Sequence, residues 1–240
     1  MTIDPKFHLH KLRKYVGMIG AHVVRETAPA RDLRMVEPDE PRFGAPPDDL
    51  AWKPTKLGEP WGAKQQWTSF RGTVRVPAHW ETGGIDLRVG SDTRYLEGTG
   101  GDNTPAGPEG QVFVNGERWG ALDKQHSQLR YPFEPATEYD VRAVLFAARC
   151  ECRHVLTAFE LAWVNVPTEK LFHDLRVALD VTEQLSEASI ARTKLLCAVD
   201  AACHAADLRE HTEAPLPRAE RRDPESAGFY ASVAAAQEAF

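Results

Sequence analysis

The stretch GEPWGAKQQWTSFRGTVRVPAHW, residues 58–80, holds three of the six tryptophans of this 240-residue chain. It opens with glycine and proline, which are typical of turns, and then alternates between apolar and polar residues. Phe70, Val74 and Val76 are apolar members of that alternation, which predicts a half-buried strand. The stretch therefore leads from a turn into a β-sheet.

Two fates are open for Trp61, Trp67 and Trp80. An indole has a flat apolar face and one N–H donor, so an exposed tryptophan can stack on a sugar ring. The same side chain can instead fill the end of a sandwich core, and tryptophans are on average highly buried. We expect burial, and we keep Trp61 and Trp67 as candidates for facing a carbohydrate.

Later stretches continue the strand pattern. Ile85, Leu87 and Val89 alternate with polar residues, and Asn115-Gly116 separates two strand-like runs as in a type I′ hairpin. The stretches EYDVRAVLFAA and RHVLTAFELAWVNV add two more strands. Short strands separated by turns, without intervening helices, predict an antiparallel β-sandwich.

Helical periodicity is found on both sides of this β-region. Gly17 and Gly20 weaken an N-terminal helix, which suggests that packing holds it. Its apolar stripe consists of Leu9, Leu12, Val16, Ile19 and Val23. After Pro167 the period changes from two to 3.6, and Thr168 suits the N-cap of a helix whose apolar face holds Leu171, Leu175 and Leu179. A second helix is expected from about Ser186 to Asp207, with Ile190, Cys197, Ala201 and His204 among its inward residues.

These patterns divide the chain into five segments. An N-terminal helix (1–27) precedes a proline-rich covering segment (28–60), which should be extended and irregular because proline fixes φ and removes backbone donors. The β-sandwich (61–166) is followed by the helical hairpin (167–208) and by a linker with the start of a further helix (209–240).

Composition excludes several classes of function. The formal net charge is -6 and the pI about 5.9, which argues against a nucleic-acid surface. The N-terminus lacks the apolar core of a secretory signal, and no run reaches the about 20 apolar residues of a membrane span. We therefore expect a cytoplasmic protein with no membrane or nucleic-acid partner, whose four cysteines are reduced thiols.

Candidate catalytic and metal-binding groups have simpler interpretations. Cys150, Cys152 and His154 alternate on one strand face but lack the common zinc-ligand spacing, so buried thiols and a hydrogen-bonded histidine are expected. Asp123 and His126 lie three residues apart in a polar loop, and we expect this loop to hydrogen-bond to itself rather than to form a catalytic pair. The remaining candidates are the acids of 37–49, the glycine-rich loop 97–110, and Ser69, Ser91 and Ser127, none in a catalytic context.

Several blocks in order resemble the N-terminal region of family 38 glycoside hydrolases, the α-mannosidases, and most closely their cytosolic and bacterial branch. Trp61, Gly62, Trp67 and Phe70 match a tryptophan-rich block of that family. A V-x-V-N-G-E hairpin at 112–117, a loop with Leu122, Asp123 and His126, and the segment FELAW follow in the family's order. The resemblance covers roughly residues 7–210.

The resemblance implies a helical lead-in and a jelly-roll-like sandwich that precede a zinc-dependent catalytic barrel. The family's zinc and nucleophile motifs are not found here, so we expect no catalytic residue, metal ligand or cofactor in this chain, and zinc only in the missing barrel. The implied partner is an α-mannosidase catalytic domain, in the same chain or a separate one. The candidates for facing that barrel or a carbohydrate are Trp61, Trp67, Asp123 and His126. The alternatives are a free-standing carbohydrate-binding module that takes mannosides and a homo-oligomerisation scaffold.

Overall fold

The computed structural model describes residues 5–38, 44–95, 108–123, 126–147, 152–208 and 226–240. By internal contacts the chain divides into two compact units. One unit is Thr27–Trp163, and the other joins Met1–Glu26 to Val164–Phe240. The N-terminal and C-terminal helices therefore share a unit, which a division along the sequence did not predict.

The first unit is built from two antiparallel sheets. One has the order β1-β11-β6-β9 with β4 added against β11, and the other has the order β3-β2-β5-β10-β7-β8. The described strands are β1 (Val24–Pro29), β2 (Arg31–Val36), β3 (Lys53–Pro54), β4 (Pro60–Trp61), β5 (Trp67–Arg75), β6 (Ile85–Tyr95), β7 (Glu109–Val114), β8 (Glu117–Leu122), β9 (Gln128–Arg130), β10 (Glu138–Phe146) and β11 (Cys152–Val164). The predicted antiparallel sandwich flanked by helices is confirmed.

Alternating side chains of both sheets form one apolar core. Phe70 and Val74 on β5 are buried as the period of two predicts, and Ile85, Leu87 and Val89 are buried on β6. The inward residues of β7, β10 and β11 complete the same core. Burial of this apolar surface is the main term that stabilises the unit.

The hairpin between β7 and β8 has the predicted turn. Asn115 and Gly116 have φ values of 50° and 84°, as a type I′ turn requires. The side chain of Asn115 also accepts a hydrogen bond from the backbone N–H of Asp140 on β10 at 3.0 Å. The turn is therefore fastened to the neighbouring strand.

The proline-rich segment 28–60 is less irregular than its composition predicts. It contributes the end of β1, all of β2 and the short β3, and Ala28, Ala30, Leu33 and Met35 pack against the core. The sequence did not predict β2, because Arg31 and Asp32 precede its apolar residues and break the alternation of apolar and polar side chains. Asp32 also has a φ of 51°, which is not an extended conformation. The register of β2 against β5 shifts between Arg31 and Arg34. A bulged edge strand of this kind gives a weak period-two signal.

The second unit is a bundle of four described helices. These are α1 (Pro5–Ala21), α2 (Val166–Gln184), α3 (Ile190–Ala205) and α4 (Ser226–Ala239). They surround an apolar cluster that includes the predicted residues Leu12, Val16, Ile19, Leu171, Leu175 and Leu179. Within the described helices, none is long and apolar enough to cross a membrane.

The start of α2 differs from the prediction by three residues. Asn165, not Thr168, is the N-cap, and its side chain accepts a hydrogen bond from the backbone N–H of Thr168 at 3.0 Å. The hydroxyl of Thr168 donates to the same oxygen at 2.6 Å. Pro167 stands in the first turn, where a missing N–H costs no intrahelical bond.

The predicted inward face of α3 is wrong. Ile190 is 74% exposed, and Cys197, Ala201 and His204 are exposed as well. The buried residues of this helix are Arg192, Val199, Ala202 and Cys203. Because alanine and cysteine are found on several sides of α3, the apolar period did not distinguish one face. Burial raises the pKa of the Cys203 thiol to about 12, so this thiol is protonated at neutral pH.

The two glycines of α1 allow a test of why this helix tolerates them. A Cβ at Gly17 would have no atom within 4 Å, whereas a Cβ at Gly20 would lie 2.6 Å from Cε2 of Phe172. We expect Gly17→Ala to raise the free energy of unfolding by about 1 kcal/mol, since alanine is the better helix former. Gly20→Ala should gain nothing or lose stability, because the Phe172 ring must move. Urea denaturation of both variants measures the difference, and equal gains would contradict the assigned contact.

Candidate functional site

Trp61 is a core residue. It is 1% exposed, and its ring meets Phe70 edge-on at 5.3 Å and lies 4.7 Å from the ring of His154. Its Nε1–H donates to the hydroxyl of Ser91 at 2.9 Å. Trp80 is 2% exposed and stacks on Trp163 at 6.1 Å. Trp61 and Trp80 therefore fill the sandwich, as expected, and neither presents a face to a ligand.

Trp67 is half-buried at the start of β5. Its Cα pairs with that of Phe146 on β10, and the two ring centroids are 5.2 Å apart. The contact is a cross-strand aromatic pair, which stabilises neighbouring strands. Part of the Trp67 surface still reaches solvent.

Trp119 on β8 is the tryptophan that the structure leaves most exposed among those with a described side chain, at 44%. The register of β7 against β8 shifts at this residue, so Trp119 is the extra residue of a bulge, which re-aims its side chain. Its Nε1–H donates to the carbonyl of Arg130 on β9 at 2.8 Å, and its ring meets Tyr131 edge-on at 4.4 Å. The sequence gives no sign of this role, since a bulge depends on the partner strand.

The Trp119 contact joins the two sheets. β8 is an edge of the six-stranded sheet and β9 is an edge of the other. Arg130 is itself held on β9 because its Nε and Nη2 donate to the two carboxylate oxygens of Asp86 at 2.8 and 3.2 Å. The Asp86 side chain is only 3% exposed, although its place in the β6 alternation predicts a solvated residue. The indole of Trp119 and the Asp86–Arg130 ion pair thus connect the two sheets where the edge strands β8 and β9 meet.

Asp123 and His126 form a self-bonded loop between β8 and β9. Nδ1 of His126 lies 3.0 Å from each carboxylate oxygen of Asp123, and the His126 backbone N–H donates to Oδ1 at 2.7 Å. The backbone N–H of Asp123 donates back to the His126 carbonyl at 3.2 Å. The His126 side chain is 73% exposed. The carboxylate thereby orients the imidazole and leaves Nε2 for an outside group.

The structure brings Trp67 and the Asp123–His126 loop to the same end of the six-stranded sheet. Trp67 pairs with Phe146, and Phe146 pairs with Glu109, the first residue of β7. Gly110 pairs with Leu122, so Asp123 follows at the level of Glu109. Three strand spacings of about 4.8 Å separate β5 from β8, which places the two features about 14 Å apart. Trp61, by contrast, belongs to the core.

His154 has the structural role that the sequence favours. It is fully buried, and its Nε2–H donates to the carbonyl of Ala147 at 2.8 Å. Cys150 lies outside the described residues, and for Cys152 only the backbone is described. Elsewhere in the described ranges, no group of three or more histidines, cysteines, aspartates or glutamates is placed to hold a metal ion.

The other sequence candidates are dispersed. Ser69 is buried, Ser91 accepts the Trp61 bond, and Ser127 is exposed beside the loop. Glu37 accepts a hydrogen bond from the backbone N–H of Gly62 at 3.3 Å. Asp39, Glu40 and residues 97–107 of the glycine-rich loop lie outside the described residues.

Burial of His154 makes the stability of the fold depend on pH. Burial lowers the pKa of His154 below the usual 6.5, and the bond to Ala147 only partly offsets this effect. Below about pH 6.5 the imidazole of His154 therefore binds a proton in the unfolded chain but not in the folded chain. The free energy of unfolding then falls by up to about 1.4 kcal/mol per pH unit as the pH is lowered.

His154→Gln should remove this component, because glutamine can donate to the same carbonyl without titrating. Urea denaturation between pH 7.5 and about 5 measures it for the wild type, His154→Gln and the exposed control His126→Gln. Parallel curves for all three proteins would contradict the assigned burial.

No protein-family model matches this chain, and no curated protein matches it significantly in sequence.

Proposed function

We propose that this chain is the accessory N-terminal region of a retaining, zinc-dependent α-mannosidase of the cytosolic and bacterial type. In this proposal the sandwich and the helices support and orient a catalytic barrel that lies outside these 240 residues. The chain alone binds no zinc and hydrolyses no α-mannoside.

The observation that carries the proposal is the location of the resembling blocks. Trp61 and Phe70 are core residues in edge-on contact, and Asn115-Gly116 is the positive-φ turn of a hairpin. FELAW lies within β11, which leads through Asn165 into α2. The shared blocks are therefore the framework of one sandwich and its exit into a helix, which is what an accessory region would share with its family.

The charges of the sandwich agree with a supporting role. A retaining glycosidase needs two carboxyl groups about 5 Å apart on either side of the scissile bond. Asp86 and Asp140 are each held by arginine, and Glu160 lies 3.5 Å from Arg88. Each of these three acids already has an arginine partner within the fold, which is a structural use of the carboxylate.

The end of the six-stranded sheet that carries Trp67 and the Asp123–His126 loop supplies the surface for contact with the barrel. Trp67 offers part of an aromatic face, and the loop offers the outward Nε2 of an oriented His126. Aromatic and histidine side chains of this kind, apolar in body and polar at the tip, are typical of interface contacts.

An activity assay tests the proposal. The purified chain, incubated with p-nitrophenyl α-mannoside and zinc, should release no more nitrophenol than buffer does, because no carboxyl pair is assigned to the reaction. Turnover that scales with the concentration of the purified chain would contradict the accessory assignment.

The coding DNA offers a second, independent check. The proposal expects a reading frame after the Phe240 codon, or in a neighbouring gene, that encodes two histidines and an aspartate with zinc-ligand spacing. A frame without such a motif at either place would remove the implied partner.

The exposed face of Trp119 favours a second candidate, a carbohydrate-binding module. At 44% exposure, with Tyr131 at its edge, this indole has room for a sugar ring. If the module binds methyl α-mannoside, Trp119→Ala should abolish the tryptophan fluorescence change, and Trp119→Phe should keep part of the binding because the flat face remains. The accessory proposal expects no saturable change in the wild type.

A further inference from the structure

Three arginines lie side by side on the outer face of the six-stranded sheet. Arg34 on β2 is directly opposite Arg71 on β5, and Arg71 is directly opposite Arg142 on β10. Residues that are directly opposite in antiparallel strands point to the same face, and like charges in such positions repel. The row therefore attracts anionic groups.

Asp140 orients two of these arginines from within the sheet. Its Oδ1 accepts from Nε of Arg71 at 2.7 Å, and its Oδ2 accepts from Nε of Arg142 at 2.7 Å. Each guanidinium is thus held by its Nε side, and the terminal nitrogens turn toward one point. The Asp140 side chain is 25% exposed, and its two arginine bonds hold it against the sheet.

A second carboxylate occupies that point. Oδ1 of Asp48 accepts from Nη1 of Arg71 at 2.6 Å and from Nη2 of Arg142 at 2.7 Å. Asp48 belongs to the non-strand segment 44–52, and its side chain is 72% exposed, compared with 11% for Arg142. The arginines form a partly buried receptor, and the carboxylate lies over it from a loop.

The same arginine also binds the backbone beside Asp48. Nη1 of Arg142 donates to the carbonyl of Pro46, and Pro46 is buried. Nε1 of Trp52 donates to the carbonyl of Pro47 at 3.1 Å. The segment is therefore held by its carbonyls as well as by its carboxylate, so Asp48 can leave the arginines without release of the whole segment.

We propose that Arg71 and Arg142 form a binding site for an oxyanion, a carboxylate or a phosphate group, which Asp48 occupies as an internal ligand. An external oxyanion competes with Asp48 for Nη1 of Arg71 and Nη2 of Arg142, while Asp140 keeps the two guanidiniums in place. Displacement of Asp48 leaves three arginines against one aspartate on this patch, which favours the entering anion. The proposal does not depend on the assignment to an α-mannosidase.

The test removes the internal carboxylate and follows the arginines directly. In the isotope-labelled full chain, the Nε–H signals of Arg71 and Arg142 are recorded by NMR during titration with inorganic phosphate. A separate titration uses the peptide GAPPDDL, the sequence of residues 44–50. Asp48→Asn should bind at least one probe saturably, with a dissociation constant at least about tenfold lower than that of the wild type, because the competing charge is gone.

The two probes distinguish the source of the oxyanion. Binding of phosphate alone indicates a free ion, whereas binding of the peptide, lost when its first aspartate is replaced by asparagine, indicates a carboxylate on a polypeptide. Asp49→Asn is the matched control, since Asp49 is the exposed acid next in the chain, and it should titrate like the wild type. Arg71→Gln combined with Asp48→Asn should abolish binding.

Lack of a saturable shift in folded Asp48→Asn with either probe overturns the proposal and leaves Asp48 as a structural latch. Thermal melting shows whether the variant is folded. If it is not, the wild type itself provides the test, because a high concentration of either probe must displace Asp48 and shift the same two signals. Unchanged signals in that titration overturn the proposal equally.

Discussion

The close packing around Trp61 is the constraint on which the sandwich depends. The indole contacts Phe70 on one sheet and His154 on the other, and its N–H is satisfied by Ser91. Gly62 follows with a φ of 72°, and a Cβ there would lie 2.8 Å from Cβ of Ala147. Only a glycine allows the chain to turn at this point without a clash. Tryptophan followed by glycine is therefore a requirement of the packing.

This requirement determines where function can be located. Trp61, Trp80 and His154 are engaged inside the core, whereas Trp67, Trp119 and His126, which reach solvent, lie at a sheet end or edge. The bulge at Trp119 and the Asp123–His126 loop both lie beside the connection by which the chain passes from one sheet to the other, between β8 and β9. The connection that closes the sandwich thus carries an exposed indole and an exposed imidazole.

Local patterns were sufficient for most of the fold. The period of two in β5 and β6 and the Asn115-Gly116 turn are short-range signals, and each is confirmed. The alternation also placed Asp86 on the solvated face, whereas the ion pair with Arg130, 44 residues away, allows its burial. In α3 the abundance of small apolar residues on several sides erased the signal for a single face. The self-bonded loop at Asp123 and His126 was predicted from the sequence. The contact of Trp119 with β9 was not, because the bulge that aims its side chain depends on a partner strand.

The two kinds of aspartate–arginine contact in this sandwich have different physical consequences. Asp86 is almost fully buried, so loss of Arg130 would leave an unpaired carboxylate in a low-dielectric site. Arg130 therefore cannot be exchanged for another partner without a large loss of stability. Asp48 is mostly in water, where an ion pair contributes little net stability because solvent and salt screen it. The Arg142 side chain, however, is only 11% exposed, so it has lost much of its hydration in the fold. A half-buried cation whose counter-ion is solvated and replaceable is a receptor for anions, whereas a cation that pairs with a buried carboxylate is a structural element. The position of the carboxylate, and not the number of ion pairs, distinguishes the two.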